Sequence, residues 1–209
     1  MYKYPHIHLI MMARAPVAGQ VKTRLAKTIG NRRAASIHRN MVRTQIRQLL
    51  AARICPIELH VCPQVRHPFF IAMRRGGVVR VEQQFGNNLG SRMLHAIRSG
   101  LQRAEAVILI GADVPGISVE QIRQVCEQLS SRDELIIMPA NDGGYGLLAM
   151  CRTDAGLFRG VHWGSRRVCK QTVRRARQLG ISYRLSGVCY DIDYQRDLDR
   201  LPELGIRLW

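Results

Sequence analysis

Short apolar runs of strand length recur along this chain, and segments with helical spacing of apolar residues lie between several of them. The runs cover residues 8–13, 57–62, 78–81, 107–110, 135–138 and 147–150. Helical patterns cover 37–49, 91–104, 118–129 and 166–180, and Ser118 and Ser165 stand where helix N-caps are expected. Alternation of this kind is typical of the α/β class, so we expect a sheet flanked by helices.

Nothing in the composition divides the 209 residues into separate domains. The sequence has no linker of Pro and Ser, no internal repeat and no apolar stretch of membrane-span length. Its six cysteines are scattered singly, without a CxxC pair. We therefore expect one domain over 1–209, a cytoplasmic location and reduced thiols.

The formal net charge is +17, so the surface attracts anions at neutral pH. The cations are spread along the chain with few aromatic residues among them, and no RNA-binding or zinc-finger motif is present. The arginines between 32 and 47 alternate with apolar positions at helical spacing, which first indicates a solvated helix face. Nucleic acid is therefore expected to bind only non-specifically.

A loop with Pro and Gly follows the first apolar run and leads into a helical pattern at 21–26. Free backbone N–H groups at a helix start attract anions, and Lys22 and Arg24 add positive charge beside Gly19. Arg14 supplies another cation or points into solvent. The loop therefore predicts a phosphate site, although its spacing matches neither a P-loop nor a dinucleotide fingerprint, and a basic surface turn is the alternative.

Three more loops that follow apolar runs carry aspartates, and ligands of open α/β sheets bind at the carboxyl ends of strands. Asp113 lies in Gly111–Gly116 among small residues, which suits a divalent cation that bridges phosphate oxygens or, alternatively, a simple turn. Asp142 precedes Gly143 and Gly144 in a loop that could also be a hairpin connection. The third loop is 191–198, whose alternating carboxylates can face one site.

Several segments, taken in order, resemble one bacterial family. They are 13–16 with Gly19 and 21–26, Gln84 with 89–93, 111–116, 139–145, Phe158 with Trp163 and Ser165, and 191–193 with 197–198. This set resembles the DUF2064-type glycosyltransferase family of the GT-A nucleotide-diphosphosugar transferase superfamily. The resemblance implies a single GT-A-like domain with a Rossmann-like, mostly parallel mixed sheet. The sequence departs from the family's pattern at Val114, where Cys is frequent, and at Gly146, where a second aromatic residue is common.

The resemblance also implies a metal-dependent transferase with a nucleotide or nucleotide-sugar donor. Mg²⁺ or Mn²⁺ would be held by Asp113 and Asp193, while Lys22 stabilises the departing phosphate and Asp142 acts as the acceptor base. The phosphates would contact Arg14, Gly19, Lys22 and Arg24. Gly90 and Arg92 would contact the nucleotide. The acceptor, whose identity is unknown, would contact Gly143, Gly144, Tyr145, Trp163 and Ser165.

Two other functions remain open at this point. The Lys22–Ala26 stretch is similar to a segment of the phospholactate guanylyltransferases, which favours nucleotidyl transfer to a small phosphorylated acceptor with release of pyrophosphate. The net charge alone would suit a non-catalytic protein that binds nucleic acid or another polyanion. The sequence contains no feature that fixes the oligomeric state.

Overall fold

The computed structural model describes residues 1–129 and 135–202, in which strands and helices alternate. The strands are β1 (Ile7–Arg14), β2 (Ile57–Cys62), β3 (Arg80–Gln83), β4 (Ala106–Gly111), β5 (Leu135–Pro139), β6 (Tyr145–Met150) and β7 (Tyr183–Leu185). The helices are α1 (Thr23–Ile29), α2 (Asn31–Ala52), α3 (Pro68–Arg75), α4 (Leu89–Leu101), α5 (Val119–Leu129), α6 (Val168–Gln178) and α7 (Gln195–Asp199). A 3₁₀ turn spans Ala155–Phe158.

The seven strands form one sheet in the order β3-β2-β1-β4-β6-β5-β7. Neighbouring strands are parallel except at β6, which is antiparallel to both β4 and β5. The chain moves outward from β1 through β2 to β3 and then returns to β4 on the other side of β1. The strand order therefore reverses between β1 and β4, where α/β sheets open a crevice. The predicted α/β class with a mostly parallel mixed sheet is confirmed.

The strands are continuous apolar runs because helices cover both faces of the sheet. In β1, Leu9 and Met11 belong to the core cluster that α2, α3 and α5 share, whereas Ile10 belongs to the cluster of α4 and α6. Successive side chains of a strand point to opposite faces, so both clusters need an apolar residue at nearly every position. All three side chains are fully buried.

A third, smaller apolar cluster fixes the end of the described chain. Leu25 of α1 and Ile37 and Met41 of α2 pack against Ile192 and Leu201. This contact brings residues 191–193 beside the loop that follows β1. Segments from opposite ends of the sequence thus meet at the carboxyl end of β1.

The structure agrees with one of the two predicted helix N-caps and shifts one predicted strand. Ser118 caps α5 as predicted, since its Oγ accepts the Gln121 N–H at 3.1 Å while Gln121 Oε1 accepts the Ser118 N–H at 2.8 Å. The expectation for Ser165 is wrong, because α6 begins at Val168 and Ser165 lies in the preceding turn. Strand β3 lies two residues beyond the run at 78–81, because Arg80 is the residue that pairs with Glu58 of β2.

Candidate active site

A cleft of about 450 Å³ opens at the edge of the sheet where β1 and β4 end. Because β6 runs opposite to β4, its first residues rather than its last face the same edge. The cleft is lined by ten of the residues that the sequence assigned to a site: Arg14, Arg24, Arg92, Asp113, Asp142, Gly144, Tyr145, Trp163, Ser165 and Asp193. Four separate loops therefore contribute to one recess.

Lys22 forms ion pairs with one aspartate from each of two of these loops. It precedes α1 in a left-handed backbone conformation, with φ 48°, and its side chain is only 2% exposed. Its Nζ lies 2.8 Å from Asp113 Oδ1 and 3.4 Å from Asp193 Oδ1. Arg24 Nη1 approaches the other oxygen of Asp193 at 2.9 Å. The two aspartates thus share one buried ammonium group, and Asp193 has a second cation at the surface.

Asp113 is held in its ionised form. Its side chain is 57% exposed and lines the cleft. Burial in the recess would raise the pKa of Asp113, yet the Lys22 ammonium and His38 together hold that pKa well below its usual range. The carboxylate therefore stays negative throughout the neutral range.

His38 of α2 is a site residue that the sequence reasoning missed. Its ring is 3% exposed, Nε2 donates to the Arg14 carbonyl at 2.9 Å, and Nδ1 lies 3.6 Å from Asp113 Oδ1. This histidine thus connects the end of β1 to the aspartate after β4. The only signal in the sequence is a polar residue within the buried face of α2.

Asp191 also lines the cleft, although the sequence reasoning chose Asp193 from the same segment. Burial and the neighbouring charge of Asp142 raise the pKa of Asp191 to about 7, with Asp113 and Asp193 adding to the increase and Lys22 opposing it. Four carboxylates therefore lie close enough to repel one another. The Lys22 ammonium offsets only part of this negative charge, so a bound cation would be stabilised in the recess.

The β5–β6 hairpin forms one wall. Asp142 Oδ1 accepts the Gly144 N–H at 2.7 Å, which holds the carboxylate in its turn at the mouth of the cleft. Burial raises the pKa of Tyr145, whose hydroxyl lies 4.0 Å from Met93 Sδ. Gly146 lines the cleft and faces Cys189 and Val114 so closely that a Cβ would collide with both, so packing requires glycine at this position.

The opposite wall comes from α4 and the loop before α6. Trp163 stacks on Phe158 with ring centroids 6.4 Å apart, and its indole covers Gly90, where a Cβ would collide with it. Arg92 Nε donates to the Gly86 carbonyl at 3.0 Å. Ser165 Oγ donates to the His162 carbonyl at 2.7 Å, which orders the turn beside the cleft.

Three glycines assigned to ligand contact lie outside the residues that line the cleft. Gly19 adopts φ +80° above Asn31, Gly90 lies under Trp163, and Gly143 adopts φ +90° against the Arg166 backbone. Each position thus has a conformational or packing reason for glycine. Their contact with a ligand stays a prediction.

Gln84 is a further residue with a positioning role. Its Nε2 donates to the carbonyls of His60 at 2.7 Å and Ala13 at 3.3 Å, so it ties the ends of β2 and β1 together at the floor of the cleft. Its partners lie in strands far away in the sequence and could not be found from the pattern.

The cleft offers carboxylate oxygens, which are the ligands that Mg²⁺ and Mn²⁺ prefer. Within residues 1–129 and 135–202, no three His, Cys, Asp or Glu side chains converge as a complete metal-binding group. Mg²⁺ commonly takes only one or two protein carboxylates and completes its shell with substrate phosphates and water. Asp113 and Asp193 fit that pattern, since a cationic group, the Lys22 ammonium, already lies between them.

Comparison with solved structures shows the same fold. A proposed nucleotide-diphospho-sugar transferase from Desulfovibrio desulfuricans G20 superposes with a TM-score of 0.84 at 26% identity, over 94% of this chain and 86% of that one. A nucleotidyl transferase from Methanothermobacter gives 0.62 at 14% identity, over 95% and 96% of the two chains. A 4-diphosphocytidyl-2C-methyl-D-erythritol synthase from Anaerococcus prevotii DSM 20548 gives 0.59 at 10% identity, over 97% and 99%.

A sequence-family model also matches more than half of the chain. No curated protein matches the sequence. The model of the family described as an uncharacterized protein conserved in bacteria, DUF2064, matches residues 45–165, which include β4, the β5–β6 hairpin and the Trp163 wall. The chain therefore belongs to the DUF2064 family.

Proposed function

We propose that this protein is a metal-dependent transferase that uses a nucleotide-activated donor, and that its reaction is glycosyl transfer from a nucleotide-diphosphosugar. The cluster of Lys22, Arg24, Asp113 and Asp193 in the cleft carries the proposal. It combines cations for phosphate oxygens with carboxylates for a divalent ion at the crevice of an α/β sheet. The likeness to the Desulfovibrio protein supports the choice of donor.

The donor phosphates would lie between Arg14 and Arg24, with Arg92 on the nucleotide side. Asp113 and Asp193 would hold Mg²⁺ or Mn²⁺, which neutralises charge on the phosphate oxygens. Lys22 Nζ, which lies 2.8 Å from Asp113 Oδ1, would turn from that carboxylate to the departing diphosphate. Transfer of its hydrogen bonds from carboxylate to phosphate would stabilise charge as it develops.

The acceptor side of the cleft would be the β5–β6 hairpin with Trp163 and Ser165. Asp142 would accept the proton of an acceptor hydroxyl, since its carboxylate faces the cleft and is held by the Gly144 N–H. Tyr145 and Trp163 would contact the acceptor through their ring faces. Gly143 and Gly144 would bring the backbone close to it.

A second candidate, nucleotidyl transfer with release of pyrophosphate, is favoured by the number of cations at the end of β1. Arg14, Lys22 and Arg24 suit a triphosphate as well as they suit a diphosphate. Both reactions need the same metal and the same phosphate contacts. The two differ in the bond that breaks, which a product assay distinguishes.

Ligand-induced stabilisation tests the proposal. The purified protein is heated with nucleoside diphosphates, nucleotide sugars and triphosphates, with and without Mn²⁺, beside Asp113→Asn and the control Glu105→Gln, an exposed carboxylate before β4. We expect one nucleotide sugar to raise the midpoint in a metal-dependent way, in the wild type and the control only. Preference for a triphosphate, with pyrophosphate released, would select the second candidate. No shift with any of these ligands would contradict both.

A further inference from the structure

The first 57 residues carry eleven lysines and arginines and no acidic residue, so the first acid in the chain is Glu58. Most of this charge lies on α2 and the segment before it. On α2, the exposed residues Arg32, Arg39, Arg43 and Arg47 are spaced by seven, four and four positions. Such spacing places all four on one side of a helix, which we name the arginine stripe.

The opposite side of α2 packs in the core, where Ile37, Met41 and Ile46 are buried. The arginine stripe therefore cannot turn inward. It extends over about 22 Å, because an α-helix rises about 1.5 Å per residue. His38 lines the cleft from the buried side of α2, so the helix that carries the stripe also borders the cleft.

Within residues 1–129 and 135–202, no guanidinium group of the stripe takes part in an ion pair or hydrogen bond. The neighbouring helix α5 does not neutralise the stripe, because its Glu120 pairs with Arg123 and its Glu127 pairs with Lys3. Like charges four positions apart on a helix repel each other and reduce its stability. An unneutralised row of this kind is therefore costly unless an anionic partner covers it.

We infer that the arginine stripe docks the protein on the surface of a membrane rich in anionic phospholipid. A plane touches a straight ridge along its whole length, so all four guanidinium groups meet lipid phosphates at once. Single-stranded nucleic acid is the weaker fit, because bases need aromatic side chains for stacking. The large apolar side chains that the described structure exposes, Phe85 and Tyr194 among them, all lie outside α1 and α2.

The inference does not depend on the proposed transferase activity, since docking needs neither donor nor metal. It does have a consequence for that activity. The cleft would open beside the lipid headgroups, which would give it access to an acceptor held in the membrane. No helix among the described residues is long and apolar enough to cross a bilayer, so contact would be at the surface.

Vesicle sedimentation tests the inference with two variants that remove equal charge from opposite faces of the sheet. The test variant is Arg39→Gln with Arg43→Gln and Arg47→Gln on α2. The control is Arg167→Gln with Lys170→Gln and Arg174→Gln, three exposed cations of which the first directly precedes α6 and the others lie on it. Glutamine is a good helix former, so both variants should fold, which circular dichroism verifies.

With vesicles of phosphatidylcholine that contain about one third phosphatidylglycerol, we expect the wild type to bind and the α2 variant to bind about 100-fold more weakly. The α6 control should lose less than about 5-fold, and vesicles of pure phosphatidylcholine should bind none of the three proteins. Equal losses in the two variants would overturn the inference, because net charge alone would then explain the binding. Absence of binding to anionic vesicles, or tighter binding to duplex DNA or RNA with the same dependence on α2, would overturn it as well.

Discussion

At the scale of single residues, the site depends on a few side chains that each hold two others in place. Lys22 lies between Asp113 and Asp193, and His38 lies between Asp113 and the carbonyl of Arg14. Removal of a buried charge leaves its partners without compensation. The Lys22 ammonium thus has two roles, as a structural cation in the absence of ligand and as a phosphate contact in the proposed reaction.

Replacement of Lys22 by methionine separates these roles. Lys22→Met should lower nucleotide affinity by about 10-fold or more, because a charge-assisted contact is lost. It should also raise the affinity for Mn²⁺ without nucleotide, because the two aspartates lose the cation that neutralises them. Titration calorimetry measures both quantities. Lys27→Met, an exposed cation on α1, is the control and should change neither. Unchanged Mn²⁺ affinity in Lys22→Met would contradict the assignment of Asp113 and Asp193.

The close contact between Gly90 and Trp163 gives a second prediction. Gly90→Ala should reduce the free energy of unfolding by about 1–3 kcal/mol, because the new Cβ collides with the indole. Trp163→Phe removes the atoms involved, so the double variant should lose less than the sum of the single ones. Urea unfolding of the four proteins gives the coupling. Additive losses would mean that Gly90 has another reason to be glycine.

At the scale of elements, the sequence predicted the buried strands well. The run at 57–62 is β2, and the run at 107–110 lies within β4, because strands covered on both faces need apolar residues throughout. The start of α5 was predicted from the capping side chain of Ser118. The start of α6 was not, since Arg167 precedes it without a side-chain hydrogen bond and no local residue marks the boundary.

Helix α2 provides a prediction at this scale, because its exposed arginines repel one another. Arg43 lies four positions from both Arg39 and Arg47. Arg43→Glu should therefore increase the free energy of unfolding by about 1 kcal/mol, as two repulsive pairs become attractive. Arg43→Gln, which only removes the repulsion, should give about half of this gain. Urea unfolding at low ionic strength measures both variants, and a loss of stability in both would show that Arg43 has a favourable partner.

At the scale of the whole molecule, a second charged network lies far from the cleft, between β2, β3 and α4. Glu58 is 1% exposed and accepts from His8 at 2.6 Å, and Arg103 and His60 approach it as well. Burial would raise the pKa of Glu58, but His60, His8 and Arg103 beside the carboxylate hold that pKa well below its usual range. Arg103 lies two residues after α4, so the network ties the end of that helix to the sheet, while the first turn of α4 borders the cleft.

Removal of the Glu58 carboxylate should destabilise the entire fold. Glu58→Gln should cost about 3–5 kcal/mol of unfolding free energy at neutral pH, because Arg103 and the histidines lose their counterion. Glu105→Gln, at an exposed position, should cost less than about 0.5 kcal/mol.

The pH dependence follows from the direction of the shift. A carboxyl whose pKa is lowered by folding contributes its stability above the unfolded value of about 4.3, and this contribution is lost as the pH falls below that value. The wild type should therefore lose stability more steeply than Glu58→Gln on acidification. Urea midpoints between neutral and acidic pH measure the difference. Parallel curves for the two proteins would contradict the role of Glu58.

The candidate site was predictable to the extent that its residues lie at strand ends. Asp113 and Asp142 could be found because each follows or joins an apolar run, and both line the cleft. His38, Gln84 and Asp191 could not be assigned, since their roles arise from contacts between segments that only the folded chain brings together. Glycines gave the least specific signal, because packing and ligand approach favour the same residue.

The reversed direction of β6 makes the two sides of the cleft unequal in how freely they can change during evolution. The wall with Asp142 is a tight turn whose ends are fixed by hydrogen bonds between neighbouring strands, so an inserted residue would disturb the sheet register. The loop from 15 to 22 joins β1 to a helix and not to a neighbouring strand, so a change in its length would not shift a strand register. New donor preferences would therefore arise in relatives mainly by changes in the length of that loop, while the turn at 140–144 keeps its length.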